Sequence, residues 1–170
     1  MPRWLLHCAA LVTRASVQDA IAANEGPCDI LAAAGNPCVA AHSTTRALYG
    51  QYAGTLYNVS RPDGTVRSVG VKNRGGFADI AVQEDFCAKG DCVISSVIDQ
   101  SNCGGQCPAG MGNNLRQRHK LVNASQHKIT VGPDHTPVFG MWFDPGFGYH
   151  VWIIPQGLPL VMSPKPSTPS

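Results

Sequence analysis

The stretch Gly26–Tyr49, GPCDILAAAGNPCVAAHSTTRALY, is the one around which the rest of the chain is read. It opens on a Gly-Pro turn, and Cys28 and Cys38 bracket a short loop containing Gly35, Asn36 and Pro37. Two cysteines ten positions apart with a turn between them suit a local disulfide. A helix start is expected next: Ser43 or Thr44 offers a side-chain oxygen to the free N–H groups ahead of Arg46, Ala47 and Leu48.

Beyond it the pattern is one of short strands and turns. Leu56–Arg61 reads as a strand, Pro62-Asp63-Gly64 as a turn in which Pro fixes φ and Gly accepts positive φ, and Thr65–Val71 as the returning partner. Gly75–Asp79 interrupts the sheet, and Ala81–Phe86 suits one short helical turn ending at Cys87. Val93–Ile98 is β-branched and apolar, the best strand in the chain, and runs into Asp99-Gln100-Ser101-Asn102. Lys128–Val131 and Val138–Phe143 are two further strand candidates. Short strands with Gly/Pro turns indicate an all-β sandwich or jelly roll.

Composition agrees. A chain of 170 residues with 18 Gly, 13 Pro and only 14% charged residues favours a loop-rich β protein over a helical bundle. A net charge of +2 gives no argument for nucleic acid, and the basic run Arg116–Lys120 reads as a solvated loop. No apolar run reaches the roughly 18–20 residues that span a bilayer. The N-terminus reads as an export signal over residues 1–25: Arg3, an apolar run from Trp4 to Val12 broken by His7, then small residues at Ala15, Ala22 and Ala23. A frayed helix from a misplaced start codon is the plainer alternative. With Cys8 inside the leader, six cysteines remain, and local spacing favours Cys28–Cys38, Cys87–Cys92 and Cys103–Cys107. A zinc site would want C-x-x-C pairs or ordered histidines, which these spacings do not supply. Asn58-Val59-Ser60 and Asn123-Ala124-Ser125 are glycosylation sequons that fit an exported, extracellular chain. Residues 151–170, rich in Pro and Ser, read as a disordered tail that buries too little apolar surface to order itself.

The run Pro37–Tyr49, PCVAAHSTTRALY, closely resembles the start of the catalytic domain of α-L-arabinofuranosidase B, glycoside hydrolase family 54. Ile98-Asp99-Gln100-Ser101 resembles the family's strand-to-turn passage, with Ile98 in place of an aromatic, and Pro145–Tyr149 resembles its Pro-Gly-x-Gly-Tyr turn. The likeness covers residues 26–150, is patchy over Gly110–Lys128, and stops after Tyr149. It implies the N-terminal part of a concanavalin-like β-sandwich. It also implies a secreted enzyme that releases terminal arabinofuranosyl residues from plant hemicellulose and pectin, with an arabinose-containing polysaccharide as partner and no cofactor. The first two cysteine pairs match disulfides of the family; Cys103–Cys107 has no counterpart there.

Retaining hydrolysis needs two carboxyl groups roughly 5–5.5 Å apart. In the resembled family the nucleophile follows a vicinal Cys-Cys pair in an Asp-x-Gly-Asn-Ala-Glu context, and this chain has neither, its last carboxylate being Asp144. No catalytic residue carries over. Of the eleven carboxylates, Asp99 at the end of the best strand is the most interesting, although turn capping is its ordinary role. Trp142, Phe143 and Tyr149 suit either a sugar-stacking platform or, more commonly, sandwich core. Two readings follow: a family enzyme cut short of its active-site carboxylates, or a non-catalytic, disulfide-stapled β-sandwich that binds carbohydrate or is degenerate.

Overall fold

The computed structural model describes residues 25–101, 114–117 and 120–150. The expected leader up to residue 24, Cys103 and Cys107, and the tail from residue 151 lie outside them. β1 (Thr55–Ser60) and β2 (Val66–Gly70) form an antiparallel hairpin. Its turn is built as its residues demand: Gly64 has φ 83°, and Asp63 Oδ1 accepts the Thr65 N–H at 2.8 Å. β3 (Val93–Val97) pairs with the other side of β1, β4 (Leu115–Gln117) with β3, and β7 (Tyr149–His150) with β4. The result is a five-stranded antiparallel sheet ordered β2-β1-β3-β4-β7. β5 (Lys128–Val131) and β6 (Thr136–Phe139) form a second, two-stranded sheet. The expected all-β class holds, with two short helices and two local disulfides, Cys28–Cys38 and Cys87–Cys92, each with a Cα–Cα distance of 5.6 Å.

One face of the large sheet carries the core. Tyr57 and Val59 of β1, Val69 of β2, and Ile94 and Val97 of β3 are all buried. The longer helix, Ile80–Cys87, packs against this face through Phe86 and Gln83. Gln83 is fully buried yet satisfied: Tyr57 Oη donates to its Oε1 at 2.7 Å, and its Nε2 donates to the Ala124 carbonyl at 2.6 Å. A polar relay therefore ties sheet, helix and the loop before β5 together inside the apolar core, where an unpaired amide would cost about 1–3 kcal/mol. At the helix's C-terminal end the Arg61 guanidinium donates to the Phe86 carbonyl and lies 3.9 Å over the Phe86 ring.

Two expectations need correction. No helix starts at Ser43 or Thr44. The helix of this region is α1, Pro27–Ala33, inside the Cys28–Cys38 loop, with Gly26 as N-cap and Pro27 in its first turn. The Ser43 hydroxyl does accept the N–H groups of Thr45 and Arg46, at 3.1 and 3.2 Å. The chain beyond does not wind up, because other partners take its backbone. Ala47 N–H donates to the Gly76 carbonyl, Ala78 N–H to the Thr45 carbonyl, and Leu48 N–H to the Gln100 side chain. The second correction concerns the aromatic cluster. β6 ends at Phe139, and Trp142 and Phe143 are exposed by 60% and 53% rather than packed as core. Trp142 stacks on His127 at 5.3 Å, and Phe143 meets Tyr149 edge-on at 5.9 Å. Tyr149 is half-buried, donating to the Ile94 carbonyl at 2.6 Å and accepting the Val122 N–H at 3.0 Å.

All four tyrosines of the chain have pKa values raised by burial, Tyr57 most strongly. A group whose folded pKa lies above its unfolded value of 10.0 stabilises the fold fully below that value and loses this contribution as pH climbs beyond it. Thermal melting should therefore be insensitive to tyrosine ionisation at neutral pH and fall steeply above pH 10. Tyr57→Phe should cost about 1–2 kcal/mol at neutral pH, by leaving Gln83 short of a donor, and should shallow the alkaline fall. Tyrosinate absorbance followed with melting checks this; four tyrosines ionising near pH 10 in a still-folded chain would contradict it.

Candidate functional site

The end of β3 and the stretch before β1 are held together by side chains bonded to backbone. Asp99, completely buried, accepts the N–H groups of Ala41 at 2.8 Å and Ser101 at 2.9 Å. Gln100 N–H donates to the Ala41 carbonyl, its side-chain Oε1 accepts Leu48 N–H at 2.7 Å, and its Nε2 donates to the Arg46 carbonyl at 3.3 Å. Ser101 Oγ donates to the Val39 carbonyl at 3.3 Å. Asp29, on α1, accepts the N–H groups of Gly26 at 2.9 Å and Gly50 at 2.6 Å. Asp99 is thus a capping residue, its ordinary role, and the Asp-Gln-Ser turn shapes the segment that leads into Tyr49.

Beside that segment opens a cavity of about 710 Å³. Tyr49, Gln51 and Tyr52 line it from the turn before β1, Asn58 and Ser68 from the sheet, and Gln100 from the turn after β3. Gly54 sits behind Tyr52, and a Cβ there would come within 2.8 Å of the Tyr52 hydroxyl, which donates to the Thr55 carbonyl. Across the outer sheet face, Ser68 Oγ donates to Asn58 Oδ1 at 2.8 Å, and Asn58 Nδ2 donates to Ser96 Oγ at 2.9 Å. The same register continues through Arg116 of β4 to His150 of β7, so every strand of the sheet contributes one polar residue to a single row. Sequence reasoning passed over Gln51, Ser68 and Tyr52. The one available signal was Asn58, a polar residue between the apolar Tyr57 and Val59 of β1.

Among the described residues, no aspartate or glutamate lines the cavity. Asp63 belongs to the hairpin turn, Glu84 pairs with Lys128 at 2.6 Å, and Asp144 accepts the Trp142 indole N–H at 3.2 Å. Each carboxylate with such a bond serves a turn, a cap or a surface pair. The sequons differ in setting. Asn58 lies mid-strand with its amide nitrogen donating to Ser96, whereas Asn123 lies in the loop after β4, where its Oδ1 accepts the Ser125 N–H at 2.8 Å.

The described residues form part of an all-β domain, a five-stranded and a two-stranded antiparallel sheet, and comparison with known proteins identifies its family. The profile described as Alpha-L-arabinofuranosidase B, catalytic, matches residues 27–163. The chain belongs to this family. It is 40% identical over 148 residues to Alpha-L-arabinofuranosidase B of Aspergillus oryzae (strain ATCC 42149 / RIB 40), covering 85% of this chain and 29% of that protein. It is 39% identical over 145 residues to the Penicillium canescens Alpha-L-arabinofuranosidase B, covering 82% and 30%. Among solved structures, an arabinofuranosidase complexed with arabinofuranosyl-α-1,2-xylobiose superposes with a TM-score of 0.65 at 37% identity, over 73% of this chain and 27% of that one. A family 54 α-L-arabinofuranosidase soaked with a cyclic sulfate inhibitor does so at 0.64 and 36%. The chain thus spans less than a third of the length of these relatives and corresponds to the N-terminal part of the domain.

Proposed function

We propose that the protein to which this sequence belongs is an extracellular α-L-arabinofuranosidase that removes terminal arabinofuranosyl units, with retention, from side chains of plant hemicellulose and pectin. The observation that carries the reading is 40% identity, over 85% of the chain, to the Aspergillus oryzae α-L-arabinofuranosidase B. A relative of solved structure complexed with an arabinofuranosyl-xylobiose supports the substrate class. The 170 residues supply scaffold rather than chemistry. The bonded carboxylates already serve turns, caps and a surface pair, and a retaining pair needs two free carboxyl groups facing each other across the scissile bond. Because the vicinal Cys-Cys pair and the Asn-Ala-Glu context that the family resemblance implies are missing from these 170 residues, we assign the nucleophile and acid/base to sequence beyond Ser170. Arabinose release from a chromogenic α-L-arabinofuranoside tests this. The 170-residue chain should release none, and a longer chain carrying a vicinal cysteine pair and an Asn-Ala-Glu motif should be active. Release by the short chain alone would place the acids among Asp79 to Asp144.

Residues 1–25 are read as the export leader and residues 26–150 as the N-terminal part of the sandwich. Of the two sequons, Asn123 is the acceptor of the folded product: its loop already holds the asparagine in a local turn, with Ser125 exposed. A glycan on Asn58 would interrupt the Ser68–Asn58–Ser96 row and fill the cavity. Expressed through a eukaryotic secretory pathway, the chain should carry a glycan on the Asn123 peptide that Asn123→Gln removes. Mass spectrometry showing the glycan on Asn58 instead would overturn the assignment.

A further inference from the structure

We infer that the cavity beside Tyr49 and Tyr52 is a binding subsite for a neutral sugar. The inference rests on the carbohydrate reading above and deepens it: among the described residues the lining offers sugar-binding groups and no carboxylate, so holding a sugar is what these residues supply. Its size, about 710 Å³, falls within the range of small-molecule sites and accommodates one or two sugar rings.

The lining has the chemistry a polyol requires. Tyr49, partly exposed, supplies aromatic surface for the C–H face of a sugar ring, while Tyr52, buried in the core, backs the cavity wall; their phenols donate elsewhere, to the Cys38 and Thr55 carbonyls. Around them lies hydrogen-bonding capacity left over from the fold. Asn58 uses one amide hydrogen on Ser96 and one lone pair on Ser68, so a second of each remains. Ser68 Oγ donates once and keeps its acceptor pairs. Gln51 accepts a 3.3 Å bond from Arg74 through Oε1 and leaves its amide nitrogen to a ligand. Donors and acceptors are interleaved, as hydroxyl groups that do both demand.

Electrostatics selects neutral over acidic sugars. Among the described residues, no lysine, arginine or histidine lines the cavity. Behind its wall lies the buried Asp99 carboxylate, whose charge is felt at the hydroxyls of both tyrosines, with Asp29 adding to it at Tyr49. A uronate would meet like charge there with no cation among the described lining residues, the Arg74 guanidinium being engaged on Gln51 Oε1, whereas arabinose or a xylose-type unit carries no charge to repel.

Calorimetric or NMR titration of the oxidised 170-residue chain with L-arabinose, xylobiose and galacturonate tests the subsite. The expected result is binding of at least one neutral sugar in the millimolar range, and of galacturonate at least about tenfold more weakly. Gln51→Ala and Ser68→Ala change exposed side chains and should leave the melting temperature unchanged while weakening the neutral sugar by about tenfold each, the equivalent of one hydrogen bond. A folded chain that binds no neutral sugar at about 50 mM overturns the inference, as does binding that neither variant weakens or that favours galacturonate. The two readings separate cleanly: a longer, active chain without this binding sinks the subsite alone. Binding retained with a longer chain inactive on arabinofuranosides sinks the hydrolase reading and leaves the subsite standing.

Discussion

The buried turn Asp99-Gln100-Ser101 is the constraint on which the rest of the described structure hangs. Three consecutive side chains at the end of β3 reach back across more than fifty positions and bond the backbone of Val39, Ala41, Arg46 and Leu48. An extended segment with neither helix nor sheet around it would otherwise leave these groups unpaired, at a cost of about 1–3 kcal/mol for each one buried. Because that segment is held, Tyr49 and Tyr52 are set beside the sheet, Gly50 meets the Asp29 carboxylate, and α1 is fastened at its N-terminal end by Asp29 and the Cys28–Cys38 disulfide. The cavity is a consequence of the same turn, since Gln100 forms part of its wall.

Inside the sheet the governing feature is a polar relay in an apolar setting. Tyr57, Gln83 and Ala124 belong to β1, the second helix and the loop before β5, and their two hydrogen bonds fix how these three lie on one another. Apolar packing of Val59, Val69, Ile94 and Phe86 is non-directional and would tolerate a slide of the helix; the Gln83 amide would not. The Cys87–Cys92 disulfide then ties the end of that helix to the start of β3. A rigid floor results, one face packed and the other carrying the polar row from Ser68 to His150.

The sequence was legible wherever local chemistry decides structure. The β1–β2 hairpin followed from Pro62-Asp63-Gly64, β3 from its β-branched run, the second helix from Ala81–Phe86, and both described disulfides from short spacing. It misled where distant groups compete for the same backbone. Ser43 has the look of an N-cap and indeed accepts two N–H groups, yet Gly76 and Gln100 draw the following residues out of a helix, and no local pattern announces partners thirty to fifty residues away. Trp142 and Phe143 misled for the complementary reason: large aromatics suggest core, but both stay more than half exposed, Trp142 stacked on His127 and Phe143 edge-on to Tyr149. The cavity was invisible because its lining comes from two turns and two strands, and only the register of β1 with β2 brings Asn58 and Ser68 together. The family, by contrast, could be read from Pro37–Tyr49, whose residues are the ones the long-range bonds hold.

Native-state hydrogen exchange on the 170-residue chain tests the role of the Asp99 turn most directly. The amides of Ala41, Leu48 and Ser101 lie outside regular secondary structure, yet each donates to a side chain of that turn. They should exchange as slowly as the β1 and β3 amides and open with them as one unit. Exchange of these three at the rate of an ordinary exposed loop, with β1 and β3 still protected, would contradict the account.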